Sequence, residues 1–201
     1  SKFLQNRDVV IVENAKSAGS GLNWGIMQAV NDLIVMVHQD VWLPDSWEMD
    51  FEIALARLDS RRWGIAGAAG MTENLRLRGW IQDRGRTWGR PSSERVEEVA
   101  VLDELLLVIR KSSGLRFDER LLGWHLYGMD ICRKAASASL PCFAMQTWLH
   151  HNSSLRRGDG NGLARDSELL CNLMYLYSRE PDLPIVALSL PRDLMKTSRR
   201  M

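Results

Sequence analysis

Between residues 33 and 44 the chain reads LIVMVHQDVWLP: five apolar residues in a row, then a histidine, an amide and a carboxylate, then a proline. A continuous apolar run closed by a turn is the pattern of a strand buried on both faces. Comparable runs recur nearby, with DVVIVEN (8 to 14) reading as a strand before it and WGIAGAAG (63 to 70) as a strand after it. Between them stand GLNWGIMQAVND (21 to 32) and FEIALARL (51 to 58), both with helical periodicity, the second introduced by DSWE (45 to 48) in the form of a capping box. Strands alternating with helices over connections of a few residues predict a mostly parallel sheet with helices on both faces.

The pattern loosens between 71 and 100, where Gly, Arg and Trp mix with short alternating pieces that suit a hairpin or an ordered surface loop. ELLLVIRK (104 to 111) restores a buried strand, and YGMDICRKAASAS (127 to 139) is helical. PCFAMQTWLHH (141 to 151) reads as a strand ending on two histidines, NSSLRRGDGNG (152 to 162) as a polar, glycine-rich connection expected to be mobile, and RDSELLCNLMYLYSRE (165 to 180) as an amphipathic helix.

With 201 residues the chain fits one domain with a substantial core, here taken as 1–201 with a division near residue 100. Its 26 basic and 25 acidic residues leave a net charge of +1, which writes no nucleic-acid surface into the overall balance. No apolar run approaches the roughly 20 residues that span a bilayer, and the start lacks the form of a signal peptide. The three cysteines have no C-x-x-C spacing and read as reduced core residues, which suits the cytoplasm; peripheral attachment to a membrane remains compatible. Eight tryptophans against three tyrosines and four phenylalanines offer indole faces both for core filling and for stacking on sugars or bases.

In an open α/β sheet, ligands bind beyond the carboxyl ends of the strands, which is where His38, Gln39 and Asp40 fall. A carboxylate with a histidine there can hold a divalent cation whose shell is completed by phosphate and water; Asp40 can equally cap the helix that follows. Downstream, LDELLLVIRKSSGLRFDERLLGWHLYGMDICRKA (102 to 135) places an Asp-Glu pair before a strand, then Phe117-Asp118-Glu119, then an aromatic turn, then Asp130 at the start of a helix.

In this order the segments resemble the family 2 glycosyltransferases of GT-A fold. VENAKSAGSGLNWGIMQAVND (12 to 32) is similar to the family's Asn-rich strand end and following helix, and VMVHQDVWLP to its Asp-x-Asp strand end. FDERLLGWHLYGMDICRKA is similar to its F-D-E and catalytic-aspartate helix, and His150-His151 complete the series. The resemblance implies a GT-A (nucleotide-diphospho-sugar transferase, Rossmann-like) fold and inverting transfer of a sugar from a nucleotide diphosphate sugar to a hydroxyl of a glycan or other acceptor. It implies a Mn²⁺ or Mg²⁺ ion on Asp40, with His38 and His150 or His151 as further ligands, and Asp130 as the general base. Asn14, Ser17, Asn23, Asp103, Glu104, Arg156 and Arg157 would meet the nucleotide sugar, and Trp124 and His125 would line the acceptor pocket.

Two departures bear on activity: His38 stands where the family carries an acidic residue, and Met129 precedes Asp130 in place of a second acid. The opening SKFLQNRDVVIVEN reads as the end of the family's first helix followed by its second strand, so the expected first strand is missing from this chain. The alternatives are a glycosyltransferase-like protein that binds nucleotide or glycan without turnover, and a metal-dependent hydrolase built on His38, Asp40 and His150.

Overall fold

The computed structural model describes residues 2–152 and 162–179. The run that ends on His38 is strand β1 (Leu33–Val37). It pairs antiparallel with β9 (Leu106–Arg110), which pairs antiparallel with β3 (Ile65–Gly67). The β3 strand is parallel to β10 (Cys142–Met145), and β10 is antiparallel to β7 (Val96–Val99). The sheet β1-β9-β3-β10-β7 is therefore mixed, where a mostly parallel one was expected. The reason lies in β9: an apolar run is silent about its direction, and the chain reaches β9 through hairpin strands, without a helical crossover.

Helices do cover both faces of this sheet. On one side, α2 (Trp47–Asp59) sets Trp47, Phe51 and Leu58 against Leu106 and Val108 of β9. On the other, α1 (Ala18–Gln28), α3 (Tyr127–Ser137) and α4 (Gly162–Arg179) set Ile26, Ile131, Leu173 and Leu176 in one core with Leu107 and Ile109. The alternating β9 side chains thus feed two cores, which is why the strand reads as uniformly apolar.

A second sheet has the order β2-β11-β5-β4-β8: β2 (Val41–Trp42), β11 (Leu149–His151), β5 (Leu77–Asp83), β4 (Ala69–Met71) and β8 (Val101–Leu102), with β6 (Arg86–Gly89) paired to β5. The WGIAGAAG run divides between β3 and β4, and PCFAMQTWLHH between β10 and β11, so each expected strand serves both sheets. The uncertain 71–100 region contains the β5–β6 hairpin. Its two-residue loop is Arg84-Gly85, both with positive φ as a primed turn requires.

Residues 8–13 are exposed and pair with no strand among the described residues, so the expected DVVIVEN strand is not formed. Val12 lies instead over the bare backbones of Gly21 and Gly25 in α1. The DSWE capping box is also absent: Ser46 caps α2 without a side-chain hydrogen bond. A capping box forms at α1, where Ser17 and Ser20 satisfy each other's backbone N–H groups.

The loop between β9 and α3 is fastened by Asp118, a buried carboxylate. It accepts from Arg120 Nε (2.9 Å) and Nη2 (2.8 Å), from the Tyr175 hydroxyl (2.7 Å) and from Arg179 (2.9 Å), the last two on α4. Arg120 first, with help from Tyr175, holds its carboxyl well below the usual carboxylate range. A carboxylate depressed in the fold stabilises fully above its unfolded pKa, about 3.9, and that stability is lost as pH falls below it. Asp118→Asn is therefore expected to lower Tm at neutral pH and to flatten the acid limb of a Tm–pH curve below about pH 4. An unchanged acid limb would contradict the assignment.

Candidate metal and nucleotide site

After Val37 the chain turns sharply. His38 donates its backbone N–H to Leu105 (3.1 Å), and its carbonyl accepts from Val41 (3.2 Å). This turn delivers His38 and Asp40 at the carboxyl end of β1 and starts β2 at once. Because β2 pairs antiparallel with β11, His151 stands opposite Val41, one residue from Asp40. Asn152 donates to the Asp40 carbonyl (2.8 Å) and locks the two segments together.

His38, Asp40 and His151 offer ligand atoms that lie within 4.8 Å of one another. His151 Nε2 is 3.3 Å from Asp40 Oδ2, and its Nδ1 is 3.1 Å from Asp83 Oδ1 at the end of β5. The other carboxylate oxygen of Asp40, Oδ1, is buried with no hydrogen-bond partner. A buried anionic oxygen without a donor is costly, and a cation relieves that cost. Two imidazoles beside a carboxylate suit Mn²⁺, which tolerates nitrogen ligands, better than Mg²⁺. The residues present therefore fit a divalent cation.

His38 is held from behind by Tyr127, the first residue of α3, whose hydroxyl hydrogen-bonds His38 Nε2 and lies 3.3 Å from the Glu104 carbonyl. Giving its proton to the Glu104 carbonyl lets the phenol accept from His38 Nε2–H, a tautomer that leaves His38 Nδ1 with its lone pair for a cation. Burial lowers the His38 pKa, against the opposing charge of Asp40, and so favours the neutral ligand form. Burial, then the charges of Glu104, Asp103 and Asp40, keep Tyr127 a phenol.

Asp103 and Glu104 approach from the start of β9. Burial raises the Asp103 pKa, and burial followed by the charge of Asp103 pushes Glu104 up to about 8. The Glu104 carboxylate accepts from Gly128 N–H (3.3 Å) at the α3 N-terminus, in space that a side chain at Gly128 would fill. A carboxyl with a raised folded pKa stabilises fully below its ordinary value of 4.5, and that stability is lost as pH climbs to about 8. Glu104→Gln, which keeps an acceptor for Gly128, is expected to flatten Tm across this window in the metal-free protein. The variant should be the more stable form above it. Parallel Tm–pH curves for the two proteins would contradict this.

The remaining candidates separate. His150 points to the other face of β11, its ring centre 4.9 Å from that of Trp42 with the planes tilted by 55°, and accepts from Trp148 Nε1 (3.2 Å), because strand side chains alternate. Asp130 is buried at 2 % exposure, paired with Lys134 (2.9 Å) and accepting from Asp118 N–H (3.3 Å). Ser17 caps α1, and Asn23 ties α1 to the 117–119 segment through Phe117 and Glu119. Asn14 is exposed with positive φ. Trp124 is half exposed, and its backbone N–H donates to Glu168 of α4 (2.8 Å); the His125 carbonyl accepts from Asn172 (3.2 Å). Arg156 and Arg157 lie outside the described residues. Tyr127 and Asp83 were not singled out by sequence: Tyr127 stood in the aromatic turn, and Asp83 in a segment whose pairing was open.

The fold is thus mixed α/β and gathers His38, Asp40 and His151 beyond the carboxyl end of β1. Among solved structures the chain is similar to GalNAc-T7 with UDP, GalNAc and Mn²⁺, at a TM-score of 0.55 and 11% identity over 96% of this chain. The likeness is one of fold, and the chain spans 43% of that protein's chain. No protein-family model and no curated protein matches the sequence. Among the described residues no helix is long and apolar enough to cross a membrane.

Proposed function

We propose that this chain is a glycosyltransferase-like domain, of the family 2 type, that binds a nucleotide diphosphate sugar through a divalent cation held by His38, Asp40 and His151. The observation that carries the reading is the convergence of these three side chains, with Asp40 Oδ1 lacking any other partner. Mn²⁺ fits the donor set better than Mg²⁺, and when bound it would neutralise charge on the diphosphate leaving group. His38 and His151 supply neutral ligands, Tyr127 orients His38, and Asp103 and Glu104 would meet the donor's sugar or ribose. Trp124 and His125 border the acceptor side. The acceptor is a glycan or another hydroxyl compound, and the reaction is a single displacement with inversion. The cytoplasm is the proposed location.

Asp130 is the proposed proton acceptor, but its pair with Lys134 must open for it to meet a hydroxyl. That burial favours a second reading, in which the protein binds nucleotide or glycan with little or no turnover. A thermal-shift screen of nucleoside diphosphates with and without Mn²⁺ tests the binding common to both, since a ligand of the folded state raises Tm. Absence of stabilisation by every diphosphate would sink it. Donor hydrolysis or transfer that survives Asp130→Asn unchanged would remove Asp130 as the base, and stabilisation without turnover would select the second reading.

A further inference from the structure

We propose that Asp83 is the positioning residue of the cation site, accepting the Nδ1 proton of His151 and so fixing the tautomer whose Nε2 lone pair faces Asp40 and the cation. The inference rests on the cation reading above and adds to it a residue from the β5–β6 hairpin. In the parallel pairing of β11 with β5, His151 stands opposite Asp83. The two side chains project from the same face, and the imidazole lies between two carboxylates, with Nδ1 3.1 Å from Asp83 and Nε2 3.3 Å from Asp40.

A neutral imidazole carries one N–H and can donate to only one of these carboxylates. Donation to Asp40 would turn the Nε2 proton into the space where the three ligand atoms converge. Donation to Asp83 leaves Nε2 and the Asp40 oxygens as lone pairs aimed at one another, an arrangement that a cation completes. Asp40 belongs to the converging set and Asp83 does not, which makes Asp83 the outer partner. Carboxylates that take the distal N–H of a ligating histidine set its orientation and basicity, and their loss lowers metal affinity about 10–100-fold. Other charged or titratable groups acting on this site include His38 from the β1 turn, Asp103 and Glu104 before β9, His125 before α3 and Tyr127 at its start.

The test uses Asp83→Ala and the conservative Asp83→Asn, whose amide oxygen still accepts the Nδ1 proton. Two readouts are taken: the His151 tautomer from ¹⁵N NMR of the metal-free protein near pH 8, and Mn²⁺ affinity by calorimetry. The expected result is an Nδ1–H tautomer in wild type and Asp83→Asn, conversion to Nε2–H in Asp83→Ala, and Mn²⁺ affinity about 10–100-fold weaker in Asp83→Ala with rescue by Asp83→Asn. A wild-type Nε2–H tautomer, or an alanine variant that keeps both tautomer and affinity, overturns the proposal. If wild type binds no Mn²⁺ while Asp83→Ala still switches the tautomer, the positioning contact stands and the cation reading falls.

Discussion

Asp40→Ala is expected to abolish the Mn²⁺-dependent stabilisation of this protein by nucleoside diphosphates. Two losses coincide at that position: the one carboxylate in the converging ligand set, and the buried Oδ1 for which a cation is the fitting partner. A ligand present at about 100 times its Kd stabilises by about 2.7 kcal/mol. For a chain of this size that is a rise in Tm of about 5–10 °C, which should be missing from the variant. In metal-free buffer the sign should differ. Removing a buried oxygen that lacks a donor relieves a desolvation cost, so apo Asp40→Ala should be at least as stable as wild type. Differential scanning fluorimetry with and without Mn²⁺ and diphosphate reads both arms, and retained Mn²⁺-dependent stabilisation would remove Asp40 as a ligand.

The second large effect is expected on stability, at Gly79. Its φ is +92°, a region almost closed to side chains, and a Cβ there would enter the Ala68 carbonyl and crowd the Ala69 backbone. Both obstacles are backbone, so no rotamer relieves them. Strained dihedrals cost about 1–3 kcal/mol, and the clash adds to that. Gly79→Ala should lose about 3 kcal/mol or more, a drop in Tm of about 6–12 °C. Gly85→Ala is the control: it has φ of +75° but nothing within 4 Å of the added carbon. It should cost only the conformational part, about 1 kcal/mol. Equal melting points for the two variants would mean that the close approach of β5 to β4 contributes nothing. Gly79 lies on the same strand as Asp83, so the alanine variant should also weaken Mn²⁺ binding.

Much of the architecture was legible in the chain. The α1, α2, α3 and α4 segments announced themselves by periodicity, and the runs at 33 to 37 and 106 to 110 by continuous apolar character, because covering both faces of a strand demands it. The direction of β9 was not legible, since hydrophobicity is the same read either way and the orientation depends on the connection that precedes it. DVVIVEN has strand composition but no pairing among the described residues, and a strand exists only with a partner.

For the site, polar residues ending a buried strand pointed to His38 and Asp40 on the ligand side of an α/β sheet, and the family resemblance added His150 or His151. Which histidine joins Asp40 was decided by the register of β11 on β2, where a one-residue shift turns every side chain to the opposite face. The same pairing of β11 with β5 brought in Asp83 from 68 residues away in the chain (151 − 83 = 68), a contact with no local signature. Local sequence determined which elements form and which residues end them. The long-range pairings selected which of those ends meet, because strand register is settled by the whole core and not by the strand itself.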